Sequence, residues 1–155
     1  MCGQKRSVLR INSIDSVLRW PFVFIHDIDC IIAGMKERHI LWADAEHIGI
    51  WASSFVFLSR NGYAITLLTS LADESVLKGC VGKDALVLHC GTHNPMAGMK
   101  PLLTDVKQQF SNILIGLETN VKHPAVEELV DFYITKPIRP SRLLLLLNSA
   151  IRAEE

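Results

Sequence analysis

The sequence carries no excess charge of either sign, because its 16 basic residues, lysine and arginine, balance 16 acidic ones. A neutral chain offers no broad electrostatic attraction to nucleic acid or to an anionic membrane surface, so we expect neither as a partner. The sequence also lacks a long uninterrupted apolar segment. The run from Trp20 to Met35 is broken by His26, Asp27 and Asp29, which makes it too polar for a membrane span.

Cysteine is scarce and widely spaced. The four cysteines, Cys2, Cys30, Cys80 and Cys90, include no Cys-x-x-Cys pair. This spacing favours separate thiols in a reducing compartment over a disulfide framework, so we expect a cytoplasmic protein. At 155 residues the chain is long enough to bury a core in a single domain.

Strand and helix signals alternate along the sequence from His39 onward. Between the first two strand-like runs, Ile48, Trp51, Phe55 and Leu58 recur at spacings of three, four and three, which is typical of one face of a helix. Such alternation favours an α/β fold with a parallel sheet and helices on both faces. The five predicted strands span 39–43, 63–68, 84–89, 113–117 and 132–135.

Polar residues follow four of the predicted strands, at the point where each strand ends. In an open α/β sheet, ligands bind in the crevice outside the carboxyl ends of the strands. We therefore expect the functional crevice to contain Asp44 to Glu46, His89 with Cys90, Glu118 with Thr119, and Lys136.

The first 34 residues do not share the alternating pattern. Residues 1–19 carry four basic side chains without a clear period, and residues 20–34 are apolar but irregular. Two interpretations remain open: an added segment that is disordered, packs on the domain or contacts a partner, or a segment that is not translated because synthesis starts at Met35. Either way, we predict a domain over residues 35–155.

The end of the sequence carries the most specific pattern. The segment from Asp131 to Pro137 reads as a short buried strand ending in Lys136-Pro137, and the leucine-rich run Arg142 to Leu147 follows. This pattern resembles the end of a receiver domain, the phosphoacceptor module of two-component response regulators. The resemblance extends over about residues 36 to 153. It implies a flavodoxin-like sheet of order 2-1-3-4-5 and a role in phosphorelay signal transduction rather than in catalysis.

The resemblance also implies where a phosphorylation site would lie. A receiver carries two acidic residues after its first strand to hold Mg²⁺, and a phosphoacceptor aspartate at the end of its third. In this sequence Asp44 matches the first acid, Ala45 stands in place of the second, and Glu46 follows. His89 stands in place of the phosphoacceptor. Because an imidazole supplies no carboxylate to a cation that prefers oxygen ligands, we expect no cofactor; Asp44 with Glu46 is a weak metal candidate.

Of the two remaining family positions, one differs from a receiver and the other matches it. Glu118 stands where a receiver has its switch threonine or serine, whereas Lys136 and Pro137 match the family's lysine and the proline after it, a peptide bond that is usually cis there. These substitutions indicate a pseudo-receiver that is not phosphorylated on aspartate. A lysine in a partly buried crevice requires a carboxylate partner, and Asp44 and Glu118 are the candidates. An atypical phosphoacceptor that uses Glu46 in its metal site is an alternative.

A second class of function rests on His89, Cys90 and His93, which lie within five residues of one another. Together with His123 or Cys80 they could bind zinc, although their spacing matches no standard zinc module. An imidazolium beside Cys90 could instead produce a reactive thiol by lowering its pKa. The alternative function is therefore a small metal- or thiol-dependent protein on the same fold.

The leucine run after the last strand exceeds what one apolar helix face needs, so some of its side chains should point outward. By resemblance to receivers, which use this region for dimers and partners, we expect a protein interface at Tyr133, Leu143, Leu146 and Leu147. The expected partner is a histidine kinase, a response regulator or a second copy of the chain. The chain could equally be the detached end of a hybrid kinase.

Overall fold

The protein was analysed as a computed structural model, which describes residues 36–90 and 96–154. It also describes the backbone of a short antiparallel pair, Ser7–Val8 with Phe24–Ile25. The predicted domain boundary at residue 34 lies outside the described ranges, so it stays a prediction. Among the described residues, no helix is long and apolar enough to span a membrane.

Five strands form one parallel sheet in the order β2-β1-β3-β4-β5. This arrangement confirms the predicted flavodoxin-like 2-1-3-4-5 order. The strands are β1 (Arg38–Ala43), β2 (Tyr63–Leu68), β3 (Ala85–His89), β4 (Leu114–Glu118) and β5 (Phe132–Ile134).

In the described ranges, three α-helices and two 3₁₀ helices lie between successive strands of this sheet, and a fourth α-helix follows the last strand. The predicted stripe from Ile48 to Leu58 starts as a 3₁₀ turn and becomes α-helical at Ala52, and the predicted helix near residues 123–130 is 3₁₀ throughout. The α-helices are α1 (Ala52–Arg60), α2 (Asp73–Gly79), α3 (Met96–Gln109) and α4 (Pro140–Glu154), and the 3₁₀ helices are Ile48–Trp51 and Pro124–Leu129.

The sheet separates two apolar cores, as the period of two along each strand requires. Along β1, Ile40 and Trp42 face the core shared with α1 and α4. Leu41 and Ala43 face the core shared with α2 and α3. Trp42 is fully buried, and its ring lies 5.0 Å from that of Trp51, measured between centroids. Helices therefore cover both faces, as predicted.

The leucine run in α4 divides between core and surface. Leu143 and Leu147 are fully buried, one helical turn apart, and they pack in the core with α1. The prediction that these two belong to an interface is therefore wrong, because a buried side chain cannot contact a partner. Leu145 is 57% exposed instead, whereas Leu146 and Tyr133 are partly buried and their interface role stays a prediction.

The edge strand β5 lies close against β4 because of a glycine. Gly116 and Phe132 are register partners on the two strands. A Cβ atom at Gly116 would lie 2.3 Å from the Phe132 ring, a separation that packed atoms do not reach. The glycine thus lets the ring lie directly on the β4 backbone, which fixes the strand that leads to Lys136.

Candidate functional site

The carboxyl ends of four strands bring charged side chains together at one edge of the sheet. Asp44 follows β1, His89 ends β3, Glu118 ends β4, and Lys136 follows β5. Asp44 and Glu118 are 0% exposed, and His89 is nearly as buried. Carboxylates without contact with water need polar or cationic partners, so the contacts of this cluster define its chemistry.

Asp44 organises the loop after β1. Its Oδ1 accepts hydrogen bonds from the backbone N–H groups of Glu46 and His47, both at 2.8 Å. Aspartate commonly stabilises a turn in this way, by accepting from the backbone two and three residues later. The turn leaves Oδ2 of Asp44 directed at His89, 4.0 Å from its Nδ1. It also brings the His47 side chain into the site.

His89 is the central residue of the cluster. Its Nδ1 lies 3.2 Å from Oε1 of Glu118, and its Nε2 lies 3.1 Å from Nδ1 of His47. The Nε2 atom is also 3.9 Å from Oε2 of Glu46, whose side chain is 42% exposed. The two imidazoles meet edge to face, with centroids 4.6 Å apart. Both ring nitrogens of His89 therefore face groups that bind protons or metal ions.

Lys136 contacts Glu118 and not Asp44. Its ammonium group forms an ion pair with Oε1 of Glu118 and lies over the ring of Trp51, 5.7 Å from the centroid, where a cation–π attraction operates. The backbone N–H of Lys136 donates to Oδ1 of Asn120, and the Lys136–Pro137 peptide bond is cis, as the resemblance implied. The lysine is therefore held by its backbone, by a carboxylate and by an aromatic face.

Several buried polar atoms in the cluster make no hydrogen bond. They are Oδ2 of Asp44, Nδ1 of His89 and Oε2 of Glu118, whereas Oε1 of Glu118 contacts the Lys136 ammonium group. Most buried polar atoms are hydrogen-bonded, so such a concentration at one site marks a place that can accept a further ligand. The chemistry available there is acid–base exchange at imidazole and the binding of a cation.

Cys80 and Cys90 do not have the lowered thiol pKa that the reactive-cysteine alternative requires. Burial raises the pKa of the Cys90 thiol, and Sγ of Cys90 packs 3.6 Å from Sδ of Met99. Burial likewise raises the pKa of Cys80 to about 12. Since the thiolate is the nucleophile, both cysteines are less reactive than an exposed one. His93 lies outside the described residues.

The structure also changes the candidate metal ligands. Within the described part of the chain, Asp44, His47, His89 and Glu118 are the potential ligands that come together. Glu46, the acid suggested by sequence, does not belong to that group, and neither do Cys80, Cys90 or His123. The Nε2 atom of His123 instead lies 3.4 Å from Oγ1 of Thr119. Sequence analysis missed His47, although its position three residues after Asp44 was visible.

Comparison with known proteins places the fold. No family model and no curated protein matches the sequence. A CheY-like response regulator receiver domain from Methanospirillum hungatei JF-1 matches with a TM-score of 0.62 at 17% identity, over 77% of this chain and 97% of that one. Vibrio cholerae CheY4 matches with a TM-score of 0.60 at 18% identity, over 74% and 98%. The signal receiver domain of an HD domain-containing protein from Pseudomonas fluorescens Pf-5 gives 0.59 at 20%, over 77% and 98%.

Proposed function

We propose that this chain, which has the receiver-domain fold, is a receiver-like signalling module of a cytoplasmic two-component pathway. It is not phosphorylated on aspartate, and it acts through protein contacts rather than as an enzyme. One observation carries the proposal: His89 occupies the end of β3, between the buried carboxylates of Asp44 and Glu118. In the fold's phosphorylated members that position belongs to the aspartate nucleophile.

The metal requirement of receiver phosphorylation supports the same conclusion. Mg²⁺ prefers an octahedral set of oxygen ligands. Here two imidazoles, from His47 and His89, lie among the oxygens that remain. Ala45, in place of the second acid, supplies no side-chain oxygen. The carboxylate that usually accepts phosphate and helps to hold Mg²⁺ is thus missing, and its surroundings suit a different ion.

The ion pair between Lys136 and Glu118 gives the module a constant signalling state. In a receiver the equivalent lysine pairs with the acyl phosphate, so its partner changes with phosphorylation. In this chain a buried carboxylate already neutralises it. The site therefore carries a permanent negative charge beside the lysine, and the surface that α4 and β5 present does not depend on a phosphate.

The partner surface follows from the exposed apolar residues of that region. Leu145 projects from α4 with 57% of its surface exposed, and Leu146 of the same helix is partly exposed; Tyr133 of β5 is also partly exposed, on the face of the sheet that α3 covers. Apolar side chains surrounded by polar ones are typical of protein-binding surfaces. A histidine kinase, a response regulator or a second copy of the chain would each bury this surface.

Phosphorylation with radiolabelled acetyl phosphate and Mg²⁺ tests the first half of the proposal. We expect no label in the native protein. The matched positive control is the triple variant Ala45→Asp, His89→Asp, Glu118→Thr, which restores the missing acid, nucleophile and hydroxyl. Labelling of the variant alone supports the proposal. Labelling of the native chain, by acetyl phosphate or by a kinase, would overturn it in favour of the atypical acceptor that uses Glu46.

Affinity capture tests the second half. The native chain and two variants serve as bait, and each captured protein is identified by mass spectrometry. Leu145→Glu should abolish capture of a two-component protein or of a second copy of the chain. Val81→Glu is the matched control, because Val81 is 67% exposed but lies beyond α2 on the other side of the sheet. Equal capture by both variants would contradict the assigned surface.

A further inference from the structure

Four side chains of the site form a mixed nitrogen and oxygen cluster of the kind that binds transition metals. One ligand atom from each of Asp44, His47, His89 and Glu118 lies within 4.8 Å of all the others. Three of the four side chains are buried, and His47 is 34% exposed, which leaves an entry path from solvent. We propose that these four residues bind a divalent transition-metal ion of the zinc class.

The distances between the ligand atoms suit such an ion. Zinc binds imidazole nitrogen and carboxylate oxygen at about 2.0–2.2 Å, so tetrahedral ligands lie about 3.3–3.6 Å apart. Nδ1 of His89 lies 3.2 Å from Glu118 Oε1 and 4.0 Å from Asp44 Oδ2. Nδ1 of His47 lies 4.0 Å from Asp44 Oδ1. The separations within the cluster extend to 4.8 Å, so the side chains, and first the least buried one, His47, must move inward to reach tetrahedral spacing.

The charges of the cluster call for a cation. Asp44 and Glu118 are fully buried, and the lysine of the site contacts Glu118. With both imidazoles neutral, the two carboxylates and the lysine leave a net charge of −1. The partly exposed Glu46 beside His89 brings the net charge to −2. A dication would neutralise that excess. It would also provide a partner for Asp44 Oδ2 and Glu118 Oε2, which make no hydrogen bond.

The ligand set selects the class of metal. Two imidazoles with two carboxylates match the preferences of zinc and of neighbouring transition metals, whereas Mg²⁺ and Ca²⁺ prefer oxygen throughout. The turn made by Asp44 supplies part of the required rigidity, because its Oδ1 holds the backbone N–H of His47. The proposed ion thus differs in class from the Mg²⁺ of a phosphorylated receiver.

Lys136 and the metal share Glu118. Oε1 of Glu118 contacts the lysine, while Oε2 has no hydrogen-bond partner. The positive charge of Lys136 opposes a dication nearby, so the lysine lowers metal affinity while orienting the carboxylate. This inference rests on the proposed function in one respect, that His89 is not a phosphoacceptor, and it requires no protein partner.

Calorimetric titration of tag-free, chelator-treated full-length protein with ZnCl₂ tests the site. We expect one equivalent of tight binding that excess Mg²⁺ does not displace, and a visible spectrum typical of four-coordinate cobalt when CoCl₂ replaces zinc. His47→Ala should weaken zinc binding by about tenfold or more. His47 suits this test because its side chain is the least buried of the four proposed ligands. Glu118→Gln should weaken it also, and Lys136→Met should strengthen it.

His39→Ala is the matched control. His39 is 41% exposed and lies beside a carboxylate, Glu37, but at the opposite end of β1. An equal loss of affinity in His39→Ala and His47→Ala, or the absence of a one-equivalent site in the native protein, would overturn the proposal. Buried ion pairs without metal would then explain the cluster. Failure of this test leaves the phosphorylation result unaffected, so the two proposals fail separately.

Discussion

Glu118 and His89 are register partners on the neighbouring strands β4 and β3, and their side chains meet with Oε1 and Nδ1 3.2 Å apart. Both side chains point to the same crevice because they end adjacent parallel strands in the same register. A carboxylate and an imidazole thus replace the hydroxyl and the carboxylate that the receiver resemblance implies at these positions. The two proposals above rest on this exchange, which removes the phosphoacceptor carboxylate and places imidazole nitrogen beside buried carboxylate oxygen.

Removal of the lysine should destabilise the fold. Lys136→Met leaves the buried Glu118 carboxylate without its ion-pair partner, and we expect the free energy of unfolding to fall by about 3 kcal/mol. Glu118→Gln should cost less, because it relieves the negative excess while preserving the side-chain shape. Chemical denaturation of the chelator-treated protein measures both. If the double variant loses the sum of the two single losses, the residues are not coupled.

Alkaline pH should destabilise the protein through Tyr63. Burial raises the pKa of Tyr63 from 10.0 to about 12, and its O–H donates to Asn148 Oδ1 at 2.7 Å. Between those pH values the folded state holds a proton that the unfolded state has lost. The contribution of Tyr63 to stability is therefore intact below about pH 10 and is lost as pH rises toward 12. Urea denaturation across this range, with tyrosinate absorbance, follows the effect.

Tyr63→Phe separates the two contributions of that tyrosine. At neutral pH the variant should be less stable by about 1 kcal/mol, because the hydrogen bond to Asn148 is lost. Above pH 10 its stability should fall less steeply than that of the native protein. The same alkaline profile in Tyr63→Phe and the native protein would contradict the assignment.

Alkylation should distinguish the buried thiols from a reactive one. Burial raises the pKa of Cys80 from 9.0 to about 12 and also raises that of Cys90. The thiolate fraction falls roughly tenfold for each unit of raised pKa, so iodoacetamide at neutral pH should modify Cys80 far more slowly than a free thiol. Peptide mass spectrometry resolves each cysteine. Fast, selective modification of Cys90 would revive the thiol-dependent alternative.

Two leucines two positions apart in α4 should respond very differently to truncation. Leu147 is fully buried, so Leu147→Ala should cost about 2–5 kcal/mol through lost contacts and a residual cavity. Leu145 is 57% exposed, so Leu145→Ala should change stability by no more than about 0.5 kcal/mol. Thermal and chemical unfolding measure both changes. Comparable losses would show that Leu145 is packed in the functional protein.

The fold was accessible from sequence because its signals are local and repeated. The apolar run Ala85–His89 is buried throughout, as a strand covered on both faces must be, and its boundaries agree with the prediction to one residue. The polar strand ends Asp44, His89 and Glu118 were equally visible, since the carboxyl ends of parallel strands meet at one edge. Lys136 was predicted to lie at the same edge because it follows the last strand.

What the sequence could not supply depends on side-chain direction. His47 enters the site because Asp44 bends the loop after β1, and only the folded turn reveals that contact. Within the leucine run, the position of each residue around the axis of α4 decides which side chains are buried. Five consecutive leucines give no sequence signal for which of them face the core. Whether Lys136 pairs with Glu118 or with Asp44 likewise depends on the direction in which its side chain extends from the end of β5.

The contact between Gly116 and Phe132 has a consequence for the electrostatics of the crevice. Because Gly116 has no side chain, the Phe132 ring of β5 can lie directly against the β4 backbone. Glu118 lies two residues beyond the glycine, and Lys136 four residues beyond the ring. A side chain at residue 116 would meet the Phe132 ring, so the ring or the strand that carries it must move, and a movement of β5 would carry Lys136 away from Glu118. Packing at Gly116 therefore influences the distance between the Lys136 ammonium group and the Glu118 carboxylate.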